Sequence, residues 1–196
     1  MACVAVLASG VVVSSAEARV VGKSTFNTDA EGWKVVGDTV AGKEIPDHVA
    51  TGGDPGGYVT IQDDVLGGTM YWRAPKTIRK QAADALGGSL SFSLRQTSAI
   101  ARPYDEDDVI LEGGGVTLIY LTPVNAPLAP TWGKYTVPLT NVGWTNAATS
   151  GPATRRDMKK ALKSLDVLTI RAEYEAGEDT DDLDSVILRS ANRKRS

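Results

Sequence analysis

Short stretches of alternating apolar and polar residues, separated by turns rich in glycine and proline, fill the chain from Phe26 to Leu188. In the clearest stretch, Leu90, Phe92 and Leu94 alternate with serines. Because successive side chains of a strand point to opposite faces, this pattern predicts a strand that is buried on one side. A series of such strands is typical of a β-sandwich or a barrel. We therefore predict an all-β fold.

Two of the predicted strands also have a predicted position in their sheet. Residues 116–121 are apolar on both faces, which indicates a central strand. Residues 135–140 contain Pro138, which has no N–H to donate to a neighbouring strand and therefore favours an edge. Residues 168–174 and 186–188 alternate like the first strand and complete the set.

One helix is predicted near residues 154–165. Thr154 and Asp157 have the spacing of a capping box, a pair that satisfies free backbone N–H groups at a helix start. Apolar side chains recur at helical spacing on one face: Met158, Ala161, Leu162 and Leu165. The remaining surface is basic, which indicates the solvated side of a helix that packs against the sandwich.

The composition excludes several classes of function. The 196-residue chain has a formal charge of −3, so it has no general attraction for nucleic acids or anionic lipid surfaces. It contains one cysteine, Cys3, and one histidine, His48. A zinc site of cysteine and histidine ligands cannot be assembled from this pair, and a Ser-His-Asp triad would have to use His48. We expect neither nucleic-acid binding nor membrane insertion.

The first 18 residues have the features of a secretory signal peptide. An apolar core, too short to span a bilayer, precedes Ala16 and Ala18, which have the size and spacing that a signal peptidase accepts. We predict cleavage after Ala18, a folded domain over residues 19–188, a basic tail over residues 189–196, and an extracellular or periplasmic location. The alternative is a buried, valine-rich N-terminal strand.

Several motifs, taken in chain order, resemble the laminin B domain, also called the laminin IV type A domain. The matching stretches are residues 26–33, 56–58, 63–64, 71–75, 86–92, 108–113, 132–139, 162–165, 168–174 and 183–188. Residues 76–86 depart from the family's usual pattern, and the cysteine-rich EGF-like modules that flank the domain in laminin chains are missing from the sequence. We therefore expect a free-standing secreted relative.

The resemblance implies a jelly-roll β-sandwich similar to galactose-binding-like and carbohydrate-binding modules, which bind ligands without transforming them. We accordingly expect a secreted, non-catalytic binding module for a glycan or an extracellular matrix polymer, with a structural calcium ion. Fold alone does not decide the ligand. The alternatives are an adhesion module that binds protein and a glycoside hydrolase that uses a pair of carboxylates.

The calcium site is predicted around the last strand. Asp184 has the same parity as Val186 and Leu188, so its carboxylate is expected on the buried face if those two residues face the core. A buried carboxylate needs a cation or several hydrogen-bond donors. Further oxygen ligands are expected from among Asp29, Glu31, Asp63 and Asp64. The alternative is that these carboxylates bond to backbone N–H groups in turns.

An aromatic platform for sugar rings is the second candidate site. Exposed indole and phenol rings hold flat apolar faces such as those of pyranoses. The candidate ligand-binding residues are Trp72, Trp132, Trp144 and Tyr135. Trp132 follows a proline-containing loop, where an exposed ring is favoured. The alternative for each tryptophan is a packing role, because tryptophan is highly buried on average.

Two acidic runs, residues 105–108 and 178–182, form the third candidate site. Paired carboxylates are the catalytic groups of glycosidases, which place their two carboxyl groups in different environments. Neither run has flanking apolar residues that would bury one member of a pair. We expect solvated loops here, with a second calcium position as the alternative.

Overall fold

The structure is a computed structural model, and it describes residues 18–40, 44–65, 67–97, 106–122, 131–174 and 179–192. Parts of three predictions lie outside these ranges. They are residues 1–17 of the signal peptide, Asp105 and Glu178 of the acidic runs, and residues 193–196 of the basic tail.

Within the described ranges the chain forms thirteen strands and two short α-helices. The strands are β1 (Val20–Ser24), β2 (Lys34–Gly37), β3 (Asp47–Gly53), β4 (Gly56–Asp63), β5 (Met70–Arg73), β6 (Ser89–Gln96), β7 (Val109–Gly113), β8 (Val116–Tyr120), β9 (Gly133–Pro138), β10 (Trp144–Asn146), β11 (Gly151–Pro152), β12 (Leu165–Arg171) and β13 (Asp179–Arg189). The helices are α1 (Lys76–Gln81) and α2 (Arg155–Lys163), and a 3-10 turn over Ala82–Ala85 follows α1.

The strands form two antiparallel sheets, as the jelly-roll β-sandwich prediction requires. The six-stranded sheet has the order β3-β4-β13-β6-β9, and β1 also pairs with β13. The seven-stranded sheet has the order β11-β10-β8-β7-β12-β5-β2. The first strand therefore lies beside the last. Two positional predictions are confirmed, because β8 is an interior strand and the proline-containing β9 is an edge strand.

The hydrophobic core lies between the sheets, and we call the faces that line it the inner faces. In β6, Leu90, Phe92 and Leu94 are at most 2% exposed, so the predicted alternation is confirmed. The seven-stranded sheet contributes residues such as Trp72 and Leu168 to the same cluster. Burial of this apolar area is the main stabilising contribution to the fold.

The predicted helix is confirmed over Arg155–Lys163, although Leu165, which was predicted on its apolar face, begins β12 instead. The structure adds a second helix. The Thr154 hydroxyl accepts from the Asp157 backbone N–H, and the Asp157 carboxylate accepts in return from the Thr154 N–H, which completes the capping box of α2. Helix α2 buries Met158, Ala161 and Leu162 and contacts β7 and β8. Helix α1 has six residues and one buried side chain, Ile78, so it is too short to show a helical period in the sequence.

Strand β13 changes which residues face the core part-way along its length. Leu183 and Val186 are both fully buried in the core although three positions separate them. The pairing of β13 with β6 is irregular between Asp184 and Ile187, and Ser185 has a left-handed φ of 52°. This bulge reverses the alternation. The prediction that Asp184 lies on the inner face is therefore wrong.

Candidate functional site

The outer face of the six-stranded sheet carries a set of polar side chains. Leu90, Phe92 and Leu94 of β6 point inward, so the intervening Ser91, Ser93 and Arg95 point outward. The register of the sheet pairs Ser91 with Thr136 and Ser93 with Lys134 on one side. On the other side it pairs Ser93 with Asp184 and Arg95 with Asp182.

Two aromatic rings flank the outward guanidinium of this face. The Arg95 Cζ atom lies 4.5 Å from the centre of the Trp132 ring and 4.8 Å from that of Tyr58. The two rings meet edge to face, with 5.5 Å between their centres. The Trp132 Nε1 atom donates to the Gly52 carbonyl at 3.0 Å. We call Tyr58, Arg95 and Trp132 the aromatic clamp.

A buried carboxylate fixes the guanidinium of the aromatic clamp. Arg95 Nε donates to Asp182 Oδ2 at 2.8 Å, and the Asp182 side chain is 3% exposed. Burial alone would lower the pKa of Arg95, but the bond and the charge of Asp182, together with the interaction with Tyr58, outweigh it and raise this pKa. The guanidinium therefore stays charged throughout the ordinary pH range.

A shallow depression of about 370 Å³ lies on the same face. Its lining includes Asp54, Ser93, Lys134, Thr136 and Ser185. The Lys134 ammonium lies 3.2 Å from Asp54 Oδ2, and the Ser93 hydroxyl donates to the same oxygen at 2.9 Å. The depression therefore offers hydroxyl groups, a carboxylate and an exposed ammonium, which are the donors and acceptors that a polyhydroxylated ligand requires.

Three residues of the predicted aromatic platform are buried in the structure. Trp72, Trp144 and Tyr135 are 0%, 2% and 7% exposed, so the prediction of exposed rings is wrong for them. Trp144 donates its Nε1–H to the Pro138 carbonyl at 2.8 Å, and Tyr135 stacks on Phe92. Their alternative, a packing role, fits these contacts. Trp132 remains half-buried at the edge of the outer face.

The predicted calcium ligands near the N-terminus bond instead to the backbone. Asp29 Oδ1 accepts from the Glu31 N–H at 2.6 Å. Glu31 Oε1 accepts from the N–H groups of Thr25 and Phe26 at 3.1 and 2.7 Å. This is the arrangement described by the alternative prediction of turn carboxylates.

Asp63 and Asp184, two of the other predicted calcium ligands, lie too far apart to bind the same ion. Asp63 pairs with Asp179 at the start of β13, whereas Asp184 lies five positions further along that strand, roughly 17 Å away, and on its opposite face. Asp184 accepts from the backbone N–H groups of Asp54 and Ser185, and Asp64 is exposed. In the described part of the chain, no three Asp, Glu, His or Cys side chains are grouped closely enough to hold a metal ion.

Part of the second acidic run is buried in a strand and is therefore not a solvated loop. Asp179, Asp181 and Asp182 lie in β13 and are at most 3% exposed, so the prediction is wrong for them. In the other run, Asp108 accepts from both the N–H and the hydroxyl of Thr122, and it lies 3.6 Å from Arg171. These carboxylates are held by neighbouring groups of the fold.

The sequence prediction missed Tyr58 and Arg95. The sequence does indicate that both side chains point outward, because each occupies a polar-face position of an alternating strand. Arg95, for example, continues the series Ser89, Ser91 and Ser93. No local pattern indicates that these two residues meet Trp132, since the three lie on different strands or loops of the sheet.

A sequence profile of the laminin B (domain IV) family matches residues 71–196, which is more than half of the chain. The chain belongs to this family. The structure is similar to the L4b domain of human laminin alpha-2, with a TM-score of 0.68 and 16% identity, over 88% of this chain and 98% of that one.

A second solved structure shares the fold over part of its length. It is a beta-1,2-glucanase from Parabacteroides distasonis, with a TM-score of 0.52 and 16% identity, over 88% of this chain and 25% of that one. No helix among the described residues has the length and apolar character that a membrane crossing requires.

Proposed function

We propose that this protein is a secreted, non-catalytic binding module that holds a glycan or another extracellular polymer on the outer face of its six-stranded sheet. The observation that carries the proposal is the aromatic clamp beside the polar depression. An aromatic ring supplies apolar contact for one face of a sugar ring, and the neighbouring polar groups bond to its hydroxyls.

The aromatic clamp is held in place before any ligand arrives. Trp132 is fixed by its bond to the Gly52 carbonyl, by the edge of Tyr58 and by the Arg95 guanidinium. A ring that is already fixed loses little conformational freedom on binding, and this favours affinity. The bond of Arg95 to Asp182 extends this support into the sheet.

The carboxylates of this face support binding over hydrolysis. A general acid must reach the glycosidic oxygen of its substrate. Asp182 and Asp184 are 3% and 0% exposed, so neither reaches a ligand on the surface. Asp54 is engaged by Lys134 and Ser93. Membership of the laminin B family supports an extracellular role.

A binding screen with matched variants tests the proposal. The full chain is applied to a panel of glycans and matrix polymers, alone and as Trp132→Ala, Tyr58→Ala and Tyr71→Ala. Tyr71 is a half-buried ring on the seven-stranded sheet and serves as the control. We expect the two clamp variants to lose about tenfold or more in affinity, which is the loss of roughly 1.4 kcal/mol, and the control to bind normally. Binding that survives both clamp substitutions would show that the ligand is held elsewhere.

Protein adhesion is the second candidate function, and an apolar groove supports it. The groove has a volume of about 440 Å³, and its lining includes Leu86, Val142 and Met158, with Arg155 and Lys159 also beside it. Val142 is 69% exposed. These features suit an acidic protein segment with an apolar anchor. Binding of a matrix protein that is lost in Val142→Asp and retained in Trp132→Ala would favour adhesion.

A further inference from the structure

Helix α2 presents a concentrated positive charge to solvent. Its nine residues include five basic side chains and one acidic side chain, which gives the helix a net charge of +4 in a chain whose total is −3. The five basic residues are all exposed, and we call them the basic face: Arg155, Arg156, Lys159, Lys160 and Lys163.

The helical period places the basic face on one side of α2. Successive residues of an α-helix are about 100° apart around its axis, so the five positions fall within an arc of about 140°. They form two rows in which neighbouring cations are about 6 Å apart along the axis, and the longer row extends over about 12 Å. The opposite side of the helix packs on the core through Met158, Ala161 and Leu162, which fixes the direction in which the basic face points.

The charges of the basic face are not balanced within the described part of the chain. None of its five side chains forms an ion pair or a hydrogen bond with another described residue. The acidic residue of the helix, Asp157, belongs to the capping box, where it accepts from the N–H and the hydroxyl of Thr154 at 2.9 and 2.6 Å. The bonds with Thr154 are the main cause that lowers the pKa of Asp157, and the charge of Lys160 adds less. One carboxylate cannot offset five positive charges.

Two features of the helix make this arrangement unfavourable in the free protein. Like charges four positions apart destabilise a helix, and the basic face contains three such pairs, at positions 155 and 159, 156 and 160, and 159 and 163. Arg155 and Arg156 also lie in the first turn, where the helix dipole disfavours cations. An anion bound along the basic face would offset this repulsion.

We propose that the basic face of α2 is a binding site for an anionic polysaccharide, whose sulfate or carboxylate groups lie along the two rows of cations. Arginine binds such groups through paired N–H bonds, and lysine binds them as a point charge. The site is distant from the aromatic clamp. Leu139 lines the apolar groove together with Arg155 and Lys159, and the six-residue β9 separates Leu139 from Trp132 by roughly 20 Å. The basic face is therefore independent of the ligand proposed for the outer face.

The surroundings of the basic face favour a polysaccharide over other anionic partners. A protein partner requires apolar anchors and disfavours lysine at the centre of its interface, and the lining of the apolar groove does not include Arg156, Lys160 or Lys163. A membrane surface requires an apolar helix face, and that of α2 is buried in the core. A linear polyanion requires only charges along a line. The screening length of about 8 Å at physiological salt separates these contacts from the rest of the chain, which is acidic.

Calorimetry with the full chain tests the site. The probes are a heparin-derived oligosaccharide, which carries sulfates and carboxylates, and an oligogalacturonate, which carries carboxylates only, so that the two distinguish the recognised group. The test variant is Arg156→Gln/Lys160→Gln, which leaves the lining of the apolar groove unchanged. We expect it to weaken binding of the anionic probe at least about tenfold. The slope of log Kd against log salt should also become smaller, by about 1–2, because two cations no longer displace counterions from the probe.

Two control variants separate the basic face from other parts of the protein. Lys76→Gln/Lys80→Gln removes the same charge from α1, where both lysines are exposed and four positions apart, and Trp132→Ala removes the indole of the aromatic clamp. Both should retain the wild-type affinity for the anionic probe. The proposal is overturned if neither anionic probe binds at low salt, or if the α1 variant loses as much affinity as the α2 variant. It is also overturned if Trp132→Ala alone abolishes binding, or if an acidic peptide or phosphatidylserine vesicles bind the basic face more tightly than both probes. Because the four substituted basic residues are exposed, these two double variants should fold, which circular dichroism verifies.

Discussion

The contact between Arg95 and Trp132 can be isolated with a double-mutant cycle. The cycle uses Arg95→Met, Trp132→Leu and the double variant. Arg95→Met removes both ring contacts and leaves the buried Asp182 without its 2.8 Å ion pair. Trp132→Leu removes the indole but keeps that ion pair. The coupling free energy between the two changes therefore reports the guanidinium–indole contact together with the Gly52 carbonyl, to which both side chains donate.

The contacts of each side chain determine the expected loss in the free energy of unfolding. The Arg95 side chain is 22% exposed, so its cation–π contact at 4.5 Å lies between the exposed and desolvated cases, at about 1 kcal/mol. Trp132→Leu also removes the bond to Gly52 and the edge contact with Tyr58, for a total of about 2–3 kcal/mol. Arg95→Met should cost about 3–5 kcal/mol because a buried carboxylate loses its partner. We expect a coupling of about 1 kcal/mol.

Urea unfolding followed by circular dichroism measures all four free energies of unfolding. A parallel cycle between Trp132→Leu and Tyr71→Ala, on the opposite sheet, should show additivity within about 0.3–0.5 kcal/mol. If the Arg95–Trp132 coupling is equally small, the guanidinium does not hold the indole, and the argument for a fixed ligand platform fails.

Three further predictions concern the core, the helix cap and pH. In urea unfolding, Trp144→Phe should lower the free energy of unfolding by about 1 kcal/mol more than Trp72→Phe does. Of the two indole N–H groups, only that of Trp144 has an acceptor among the described residues. Equal losses in the two variants would contradict this. Thr154→Ala should lower the free energy of unfolding by about 1 kcal/mol, with Thr154→Ser near wild type, and a smaller loss would mean that the capping box contributes little. Burial raises the pKa of Tyr135 to about 12. The folded state therefore keeps this proton longer than the unfolded state, and stability should fall as the pH rises above about 10, by about 1 kcal/mol at pH 11. Tyr135→Phe should remove that part of the pH dependence. An unchanged slope of the free energy of unfolding against pH would show that Tyr135 does not cause it.

The strands were predictable wherever the side-chain period ran undisturbed for several residues. β6 shows this, because its inner positions are apolar and its outer positions polar from Ser89 to Arg95, and only the last inner position, Gln96, departs from the pattern. The short elements were not predictable. β11 has two residues, which is too few to show any period. The same limit applies to α1, where a single buried residue, Ile78, carries the contact with the core.

The error at Asp184 has a specific physical origin. Counting parity from Val186 is correct only if the strand is regular, and the bulge at Ser185 interrupts it. A left-handed backbone is usually signalled by glycine, because other residues adopt it at a cost. Here a serine adopts it, and its hydroxyl donates to the Asp54 carbonyl at 2.6 Å. The residue type therefore gave no sign of the bulge.

The candidate sites depend on contacts between distant parts of the chain. Tyr58, Arg95 and Trp132 are each separated by more than 30 residues, and their meeting follows from the order of β4, β13, β6 and β9 in one sheet. Composition could indicate that some tryptophan is exposed, but it could not choose Trp132 over Trp72. That choice requires knowledge of which face of the sheet each ring occupies.

Strand β13 carries buried carboxylates on both faces of its sheet. Before the bulge, Asp179 and Asp181 point inward, whereas Asp182 points outward and holds Arg95. An amide substitution at Asp181 therefore changes a charge on the inner face and leaves the Asp182–Arg95 bond intact. Because the contacts of Trp132 with Tyr58, Arg95 and Gly52 are also left intact, ligand binding should survive Asp181→Asn if the aromatic clamp is the binding platform. Loss of ligand binding in that variant, with the fold retained, would contradict this assignment.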